Sequence, residues 1–288
     1  MTSSEMMTNN FSICTFNILA PCYKRLSSEY DRESDYESTW KSRHLSIITL
    51  LQSLQIHLIC LQEFWLNNRS FVDLYESHLS SKYSFHYVQR THDLDDGLAI
   101  FVDRNYFKVV DKVDLLLYDI GNRVGLLLNL EYNNGQCLLL VNVHLTFPHN
   151  AFDRRLRLTQ MKKFLQLIEE YQLKMNLKNK CSVILCGDLN DACDNDAVYQ
   201  LLQQQFQSSY FQIHGKEPKV THLTHRSEQL GVDFIFYQSN IFRPISSELI
   251  PRDCDSNKWN DATKWNLSDH RAILTTFQST DHQQKGDL

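Results

Sequence analysis

Ten short apolar segments, separated by polar turns, are the feature that most restricts how this chain can fold. Their lengths and their content of Val, Ile and Phe are typical of β-strands rather than of helices. Several are apolar at consecutive positions, which predicts strands that are covered on both faces. We predict strands at Phe11–Asn17, Ile56–Gln62, Ser84–Val88, Leu98–Val102, Val109–Leu117, Val124–Leu130, Leu138–Val143, Ser182–Cys186, Val232–Tyr237 and Ala272–Phe277.

Three further segments have the apolar spacing that is typical of amphipathic helices. The first can be capped by Ser38 or Thr39 and runs to about Gln55, the second covers roughly 152–173, and a weaker third covers about 196–205. Strands that alternate with helices in this way predict an α/β fold of sheets packed face to face, with helices as outer layers. We expect the basic residues of the second helix to face solvent: Arg154, Arg155, Arg157, Lys162 and Lys163.

Composition limits the class of protein further. Of the 288 residues, 42% are hydrophobic and 22% are charged, which excludes a disordered or fibrous chain. The formal net charge of −5 excludes a strongly basic protein that coats nucleic acid. No segment has the length of a transmembrane helix, and no basic and apolar leader follows Met1, so we predict neither membrane binding nor secretion. We expect a cytoplasmic or nuclear location.

The eight cysteines form no C-x-x-C pair, which disfavours a zinc or thioredoxin-like site. His222 and His225 have a zinc-like spacing, but the sequence shows no third ligand, and we predict no zinc site there. Five cysteines lie in apolar segments, so we expect them to be buried free thiols in a reducing compartment: Cys14, Cys60, Cys137, Cys181 and Cys186.

Eight polar residues lie where the predicted strands begin or end: Asn17, Glu63, His144, Asp188, Asn190, Asp233, Asp269 and His270. Most of them follow the carboxyl end of a strand, whereas Asp233 opens a strand and Asp269 and His270 precede the last one. If the last two strands run opposite to the earlier ones, all eight side chains converge at one edge of the sheets. Functional sites are usually built at such an edge.

This set contains four carboxylates, two amides and two imidazoles. Carboxylates that are so crowded would not all stay ionised without a cation. Oxygen ligands suit Mg²⁺ or Mn²⁺, and Mg²⁺ commonly binds one or two carboxylates together with a substrate phosphate. With a cation to offset charge and an Asp–His pair to handle protons, the pattern predicts hydrolysis of phosphate esters.

Seven short motifs also occur in the order of a known family: Thr15–Leu19, Leu61–Glu63, Gly97–Phe101, Asn142–Leu145, Gly187–Asn190, Gly231–Phe236 and Ser268–His270. In these motifs the chain resembles the endonuclease/exonuclease/phosphatase superfamily, which has the deoxyribonuclease I-like fold. It looks most similar to the carbon-catabolite-repressor branch, with its deadenylases and nocturnin, and to related plant and protist members. The resemblance implies a four-layer α/β sandwich of two packed mixed β-sheets flanked by helices. We expect this catalytic domain at 11–278, a flexible N-terminus at 1–10 and a polar tail at 279–288.

The resemblance also implies which residues bind metal and water. Glu63 would be the main ligand of the Mg²⁺ or Mn²⁺ ion, with Asn17 and Asp269 beside it. Asp188 and Asn190 would position or activate the attacking water.

Further roles concern the proton and the substrate. His270, oriented by Asp233, would handle the proton at the scissile phosphate, and His144 would stabilise a phosphate oxygen or the leaving group. Four other residues are candidates for substrate binding: His149, His225, Arg226 and Arg123.

The reading that these residues favour is a metal-dependent phosphodiesterase, with 3′–5′ exoribonuclease activity of the deadenylase type on single-stranded RNA. One alternative is a phosphatase or phosphodiesterase acting on a small molecule such as a dinucleotide or an inositol phosphate. Another, from a different class, is a non-catalytic binding module on the same fold. All the expected acids, amides and imidazoles are present, which favours an enzyme. The sequence indicates no particular protein partner.

Overall fold

Two six-stranded β-sheets form the body of the protein. The structure is a computed structural model that describes residues 10–148, 150–192, 197–259 and 265–279. The strands of the first sheet are β1 (Asn10–Asn17), β2 (Leu58–Phe64), β3 (Tyr83–Gln89), β4 (Gly97–Asp103), β13 (Phe242–Ile250) and β14 (Ala272–Ser279). Their order across the sheet is β13-β14-β1-β2-β4-β3.

The second sheet is built in the same way. Its strands are β5 (Phe107–Leu117), β6 (Arg123–Tyr132), β7 (Cys137–His144), β8 (Ser182–Asp188), β9 (Gln207–Ser208) and β12 (Asp233–Gln238), in the order β5-β6-β7-β8-β12-β9. A two-stranded ribbon is formed by β10 (His222–Leu223) and β11 (Gln229–Leu230). Both large sheets are mixed, because β1 pairs with β2 and β7 with β8 in parallel, while their other pairings are antiparallel.

Helices cover the outer face of each sheet. Against the first sheet lie α1 (Glu37–Ser53) and α2 (Arg69–Leu79), whose apolar residues share one buried cluster with β1, β2 and β4. Against the second lie α3 (Ala151–Lys174) and α4 (Ala197–Gln203), which pack on β7 and β8. A short α5 (Ser209–His214) and a 3₁₀ turn (Glu33–Asp35) complete the helices of the described residues.

The consecutive apolar residues of the strands follow from this layering. On β1, Ile13 points into the core between the two sheets, while Cys14 points outward into the core under α1 and α2. On β7, Leu140 and Leu139 divide in the same way between the inner and outer cores. Because successive strand residues point to opposite faces, only a strand covered on both sides needs apolar residues at both parities. The predicted four-layer α/β sandwich is confirmed.

All ten predicted strands are present, with ends that differ by a few residues. The strand β13 was not predicted, because Pro244 and the polar run at 246–248 obscure its alternation. The helix α2 was also not predicted. The capping of α1 by Ser38 or Thr39 is wrong, since its N-cap residue is Tyr36, which makes no side-chain cap. The predicted start of the third helix, Asp196, lies outside the described residues.

Arg157 corrects the prediction of a fully solvated basic face on α3. Its side chain is buried, and Nη2 lies 3.1 Å from Oδ1 of Asp191. Arg157 stands three and four residues from Arg154 and Met161, so it lies on the border between the polar and apolar faces of the helix. Asp191 supplies the charge that allows a guanidinium to be buried at this border.

Two cysteines correct the prediction of free thiols, because Cys137 and Cys181 form a disulfide. The pairing follows from the parallel register of β7 and β8, in which Leu138 stands opposite Ser182. Each cysteine is one residue before that pair, which brings their Cα atoms to 4.8 Å. Cys14, Cys60 and Cys186 are buried free thiols, as predicted. Within the described residues, no helix is both long enough and apolar enough to span a membrane.

Candidate active site

Strand ends from both sheets meet at one edge of the sandwich. In the second sheet, His144 ends β7, Asp188 ends β8 and Asp233 opens β12. These three residues are register partners in turn, His144 with Asp188 and Asp188 with Asp233. The antiparallel direction of β12 brings its first residue to the edge where β8 ends. In the first sheet, the antiparallel β14 brings His270 to the end of β1 in the same way.

Asp188 is the centre of the cluster. Its Oδ2 accepts a hydrogen bond of 3.0 Å from Nδ2 of Asn17 and lies 3.4 Å from Nε2 of His144 and 3.6 Å from Nε2 of His270. Its Oδ1 accepts the backbone N–H of Asn190 at 2.8 Å. Burial and the nearby Asp233 raise the pKa of Asp188, against the opposing charge of His270. The carboxylate is therefore held by hydrogen bonds from Asn17 and Asn190 and lies close to two imidazoles.

The two imidazoles differ in protonation. Burial lowers the pKa of His270, but Asp233, whose Oδ2 lies 2.9 Å from its Nδ1, and Asp188 together outweigh burial and raise the pKa to about 10. Burial lowers the pKa of His144 well below its usual value, and the guanidinium of Arg123 lowers it further. At neutral pH, His270 is an imidazolium and His144 is neutral. Environments that separate two titratable groups in this way are typical of acid–base sites.

Unusual backbone conformations orient several side chains of the site. Glu63 and Asn190 have positive φ angles of 55° and 50°, which few residues with a side chain adopt without a local reason. Gly187, just before Asp188, has a φ of 139°. A Cβ atom at Gly187 would lie 1.9 Å from the carbonyl oxygen of Val143 on the parallel neighbour β7. Only glycine allows β8 to approach β7 this closely where the site begins.

Glu63 and Asn17 lie at the ends of neighbouring strands in the first sheet. Nδ2 of Asn17 donates to Oε1 of Glu63 at 3.1 Å, and the backbone N–H of Ala20 donates to Oε2 at 3.1 Å. Burial and the negative charges of Asp269 and Asp96 raise the pKa of Glu63 to about 7. A cation beside Glu63 would reverse this shift, because it would favour the ionised carboxylate.

The donor set at this position fits a hard divalent cation. Glu63 and Asp269 offer carboxylate oxygens, which suit Mg²⁺ or Mn²⁺. Asn17 turns its NH₂ group to Glu63 and Asp188, and its Oδ1 accepts the backbone N–H of Leu19 at 3.1 Å, so in this arrangement it orients the carboxylates. Cys22 is close to Glu63, and burial and Asp96 raise the pKa of its thiol, so that the thiol is neutral in the metal-free protein. Two tight groups of possible ligand atoms also lie here: His222, Asp269 and His270, and Asp188, Asp233 and His270.

His222 is a site residue that the sequence argument missed. Its ring stacks on that of His270, with centroids 3.9 Å apart, and its Nε2 lies 3.7 Å from Oδ2 of Asp269. Burial opposes ionisation of Asp269, but hydrogen bonding by His222 and the charge of His270 together lower the pKa of this carboxyl. The only sequence signal was the spacing of His222 and His225, which pointed to zinc rather than to a partner of Asp269.

A cavity of about 890 Å³ opens over the cluster, and the candidate substrate-binding residues differ in their relation to it. Arg123 and His225 line the cavity, whereas Arg226 is exposed outside it. His149 lies outside the described residues. Trp265 lines the cavity as well, but its Nε1 donates to the carbonyl oxygen of His270 at 2.8 Å, so it holds the loop that carries His270.

Comparison with known proteins identifies the family. The endonuclease/exonuclease/phosphatase family matches this chain over residues 14–270. The chain belongs to this family. The family that the seven motifs predicted is therefore confirmed, and membership supports the enzyme class predicted from the site, a hydrolase of phosphate esters. Enzymes of the family generally depend on a divalent metal, which agrees with the carboxylate and imidazole groups at the sheet edge.

Individual members of the family agree with this assignment. An Arabidopsis thaliana protein described as an uncharacterized calcium-binding protein is 39% identical over 253 residues, which are 81% of this chain and 52% of that protein. The Arabidopsis thaliana carbon catabolite repressor protein 4 homolog 3 is 27% identical over 186 residues, which are 62% of this chain and 40% of that protein. The chain thus spans about half the length of the curated relatives it matches.

Solved structures of the family share the fold. The catalytic domain of human nocturnin, with a bound sulfate anion, superposes with a TM-score of 0.72 at 22% identity and 94% coverage of each chain. ANGEL2, a 2′,3′-cyclic phosphatase in complex with adenosine-2′,3′-vanadate, has a TM-score of 0.72 at 18% identity, with 95% of this chain and 97% of that chain covered. At these identities the likeness establishes the architecture.

Proposed function

We propose that this chain is a divalent-metal-dependent phosphodiesterase that degrades single-stranded RNA from the 3′ end, in the manner of a deadenylase. The observation that carries the reaction class is the buried carboxylate of Asp188 between a neutral and a protonated imidazole. Oδ2 of Asp188 lies 3.4 Å from His144 and 3.6 Å from His270, and Asp233 fixes the second ring from its far side. This arrangement supplies a proton acceptor, a proton donor and a neutral N–H donor within one cavity.

The proposed reaction is in-line attack of water on phosphorus. Asp188 orients the water and accepts its proton, while the backbone and amide of Asn190 keep the loop at 188–190 in place through hydrogen bonds to Asp188 and to the carbonyl oxygen of Leu145. His270, protonated and oriented by Asp233, stabilises charge that develops on the phosphate and donates the proton to the leaving group. His144 donates an N–H to a phosphate oxygen. Mg²⁺ or Mn²⁺ at Glu63, Asn17 and Asp269 would offset the negative charge of the phosphate.

The choice of RNA rests on similarity to named relatives. The carbon catabolite repressor homolog and the nocturnin domain support this branch of the family. A cytoplasmic or nuclear location stays a prediction from the sequence.

A small phosphorylated molecule is the second candidate substrate. The cavity of about 890 Å³ lies within the range of pockets that enclose a small ligand, roughly 300–1,000 Å³. ANGEL2, which shares the fold, is described as a 2′,3′-cyclic phosphatase. A non-catalytic binding module on the same fold is the third outcome that an experiment has to separate.

A turnover screen separates these candidates. A 20-nucleotide poly(A) RNA, labelled at either end, the matching DNA and a dinucleotide cofactor such as NADPH are each incubated with Mg²⁺ and with Glu63→Gln as the control. We expect a 5′-labelled RNA ladder that shortens one nucleotide at a time and is absent with Glu63→Gln. Phosphate release from NADPH with intact RNA would favour the small-molecule enzyme. No turnover of any of these substrates would contradict the proposal and favour a binding module.

A further inference from the structure

Arg123 is a buried cation without a counter-ion bond. Its side chain lines the active-site cavity and the residue is only 8% exposed, yet Nε and Nη1 have no hydrogen-bond partner among the described residues. A buried charged donor without a partner destabilises a protein by several kcal/mol in typical cases, so it is retained where a ligand completes it. Arg123 is thus a buried cation whose unpaired N–H groups are suited to an anionic ligand.

The local backbone holds Arg123 in this position. It follows Gly121 and Asn122, whose φ angles of 74° and 54° turn the chain sharply before β6. A Cβ atom at Gly121 would lie 2.7 Å from Nε2 of Gln160 on α3. The same Gln160 nitrogen donates to the carbonyl oxygen of Ile120 at 2.9 Å and fixes the turn. The backbone of Arg123 is therefore held firmly, although among the described residues no hydrogen bond holds its guanidinium.

The strand order places Arg123 on one flank of the catalytic cluster. Along the edge of the second sheet, β6 with Arg123 is followed by β7 with His144 and then by β8 with Asp188. Neighbouring strands are about 5 Å apart, so the backbone of Arg123 lies roughly 10 Å from that of Asp188. A group bound by Arg123 would thus lie beside His144, on the side away from Asp188 and His270.

Arg90 approaches the same flank from the opposite sheet. It follows β3, and in the first sheet β4 lies between β3 and the strand β2 that carries Glu63 near its end. Nε of Arg90 donates to the carbonyl oxygen of Asn122 at 3.4 Å, which joins the two sheets directly beside Arg123. Both guanidinium groups line the cavity.

Carboxylates lie near Arg123 on this flank, but none of the described ones forms a hydrogen bond with it. Asp96 is the buried carboxylate there; Oδ1 lies 3.2 Å from Nη1 of Arg90 and also accepts the hydroxyl of Tyr23 at 2.6 Å. Burial and the positive charge of Arg90 lower the pKa of Arg123 to about 10, against the opposing negative charges of Asp96, Glu63 and Asp188. Arg90 takes the direct ion pair with Asp96, whereas Nε and Nη1 of Arg123 have no hydrogen bond to any carboxylate among the described residues.

We propose that Arg123, supported by Arg90, binds a second phosphate group of the substrate, one that is not hydrolysed and that lies on the far side of His144 from the reacting phosphate. The inference rests on the proposed phosphodiesterase function and defines its substrate class. The preferred substrates are phosphate esters that carry another phosphate next to the scissile one. A guanidinium suits this role because its planar fork of N–H donors matches phosphate oxygens.

Three dinucleotides that share one scissile diester test the proposal: ApA, pApA and ApAp. Binding is measured by calorimetry with Mg²⁺ on protein carrying Asp188→Asn, so that the diester stays intact. The same background then receives Arg123→Gln or, as a matched loss of one surface charge, Arg154→Gln, which is exposed on α3. Arg123→Gln removes an unpaired buried charge, so we expect it to fold with an unchanged or higher melting temperature.

We expect at least one phosphorylated dinucleotide to bind roughly 10- to 100-fold more tightly than ApA, which is the range of a charge-assisted hydrogen bond. Arg123→Gln should abolish this preference and leave ApA binding within about twofold, while Arg154→Gln should retain it. Equal affinities for the three ligands, or no measurable binding of either phosphorylated one, would overturn the proposal. So would an equal loss for all three in Arg123→Gln, since Arg123 would then contact the scissile diester.

The proposed enzymatic function is tested separately on protein with Asp188 intact. A binding preference without hydrolysis of any dinucleotide in Mg²⁺ would contradict the proposed function and leave the phosphate subsite standing. Hydrolysis of ApA, pApA and ApAp at equal kcat/KM would support the proposed function and contradict the phosphate subsite.

Discussion

Asp233→Asn tests the proton-handling role most directly. The side chain of Asp233 is fully buried, and its Oδ2 lies 2.9 Å from Nδ1 of His270. The replacement keeps the shape of the side chain and a hydrogen-bond acceptor, but removes the negative charge that favours the imidazolium.

The size of the effect follows from Coulomb's law. Two unit charges about 4 Å apart attract each other by ~4 kcal/mol at an effective dielectric constant near 20, which corresponds to about 3 pKa units. The pKa of His270, about 10 in the native protein, should therefore fall to near 7 in the variant. At pH 8 most of the variant would lack the imidazolium. Because about one molecule in ten still carries the imidazolium at pH 8, we expect kcat to fall roughly tenfold there and about tenfold further for each pH unit above it, towards the loss expected for a missing general acid.

Two measurements check this reasoning. Histidine-selective NMR titration without metal reports the pKa of His270, and kcat with Mg²⁺ between pH 6 and 9 reports the reaction. The variant should lose activity steeply with rising pH, whereas the native enzyme keeps its imidazolium throughout this range. Asp114→Asn, an exposed carboxylate on β5, is the matched control. An unchanged pKa of His270 in Asp233→Asn would refute the electrostatic argument, and an unchanged kcat would refute the role of the pair.

Four further perturbations have expected outcomes. Glu63→Gln should weaken Mg²⁺ binding more than tenfold in calorimetry and raise the melting temperature of the metal-free protein at pH 8, because the native carboxyl has its pKa raised to about 7. Gly187→Ala should lower the free energy of unfolding by at least ~3 kcal/mol in urea, since its Cβ would meet the carbonyl of Val143, whereas Gly135→Ala, with open space around it, should cost only about 1 kcal/mol. Arg157→Met leaves the buried Asp191 without its partner and should cost about 3–5 kcal/mol by thermal unfolding, with partial recovery in the double variant that adds Asp191→Asn. His57 should make the protein less stable in acid, because Nδ1 accepts the backbone N–H of Ser12 and burial lowers the folded pKa from 6.5 to about 4. The unfolded chain binds the extra proton in that window, so the free energy of unfolding falls as pH drops from 6.5 to 4, and His57→Gln should flatten this part of the curve.

The layered α/β fold could be predicted from the sequence because ten of the strands carry a clear signal of their own, although β13 does not. Segments such as 138–141 are apolar at both odd and even positions, which is required only of a strand that is covered on both faces. Polar residues at the ends of such runs stand out, and the structure brings Asn17, Glu63, Asp188 and His270 to one edge in this way. Asp269 adjoins them, held near His222.

The parts that the sequence did not reveal depend on partners distant in the chain. The burial of Arg157 depends on Asp191, and the disulfide of Cys137 depends on the register between β7 and β8. An isolated antiparallel β-bridge pairs His222 of β10 with His270, just before β14. Local patterns carry no information on such contacts, because each residue taken alone is compatible with a solvated or a core position.

The position of β14 determines when the sheet and the active site are completed during translation. This strand is last in the described chain, but it is inserted between β1 and the edge strand β13. Until it emerges, β1 has an open edge available for mispairing, and Asp269 and His270 are absent from the site. A growing chain would therefore contain a nearly complete sandwich without a working catalytic centre.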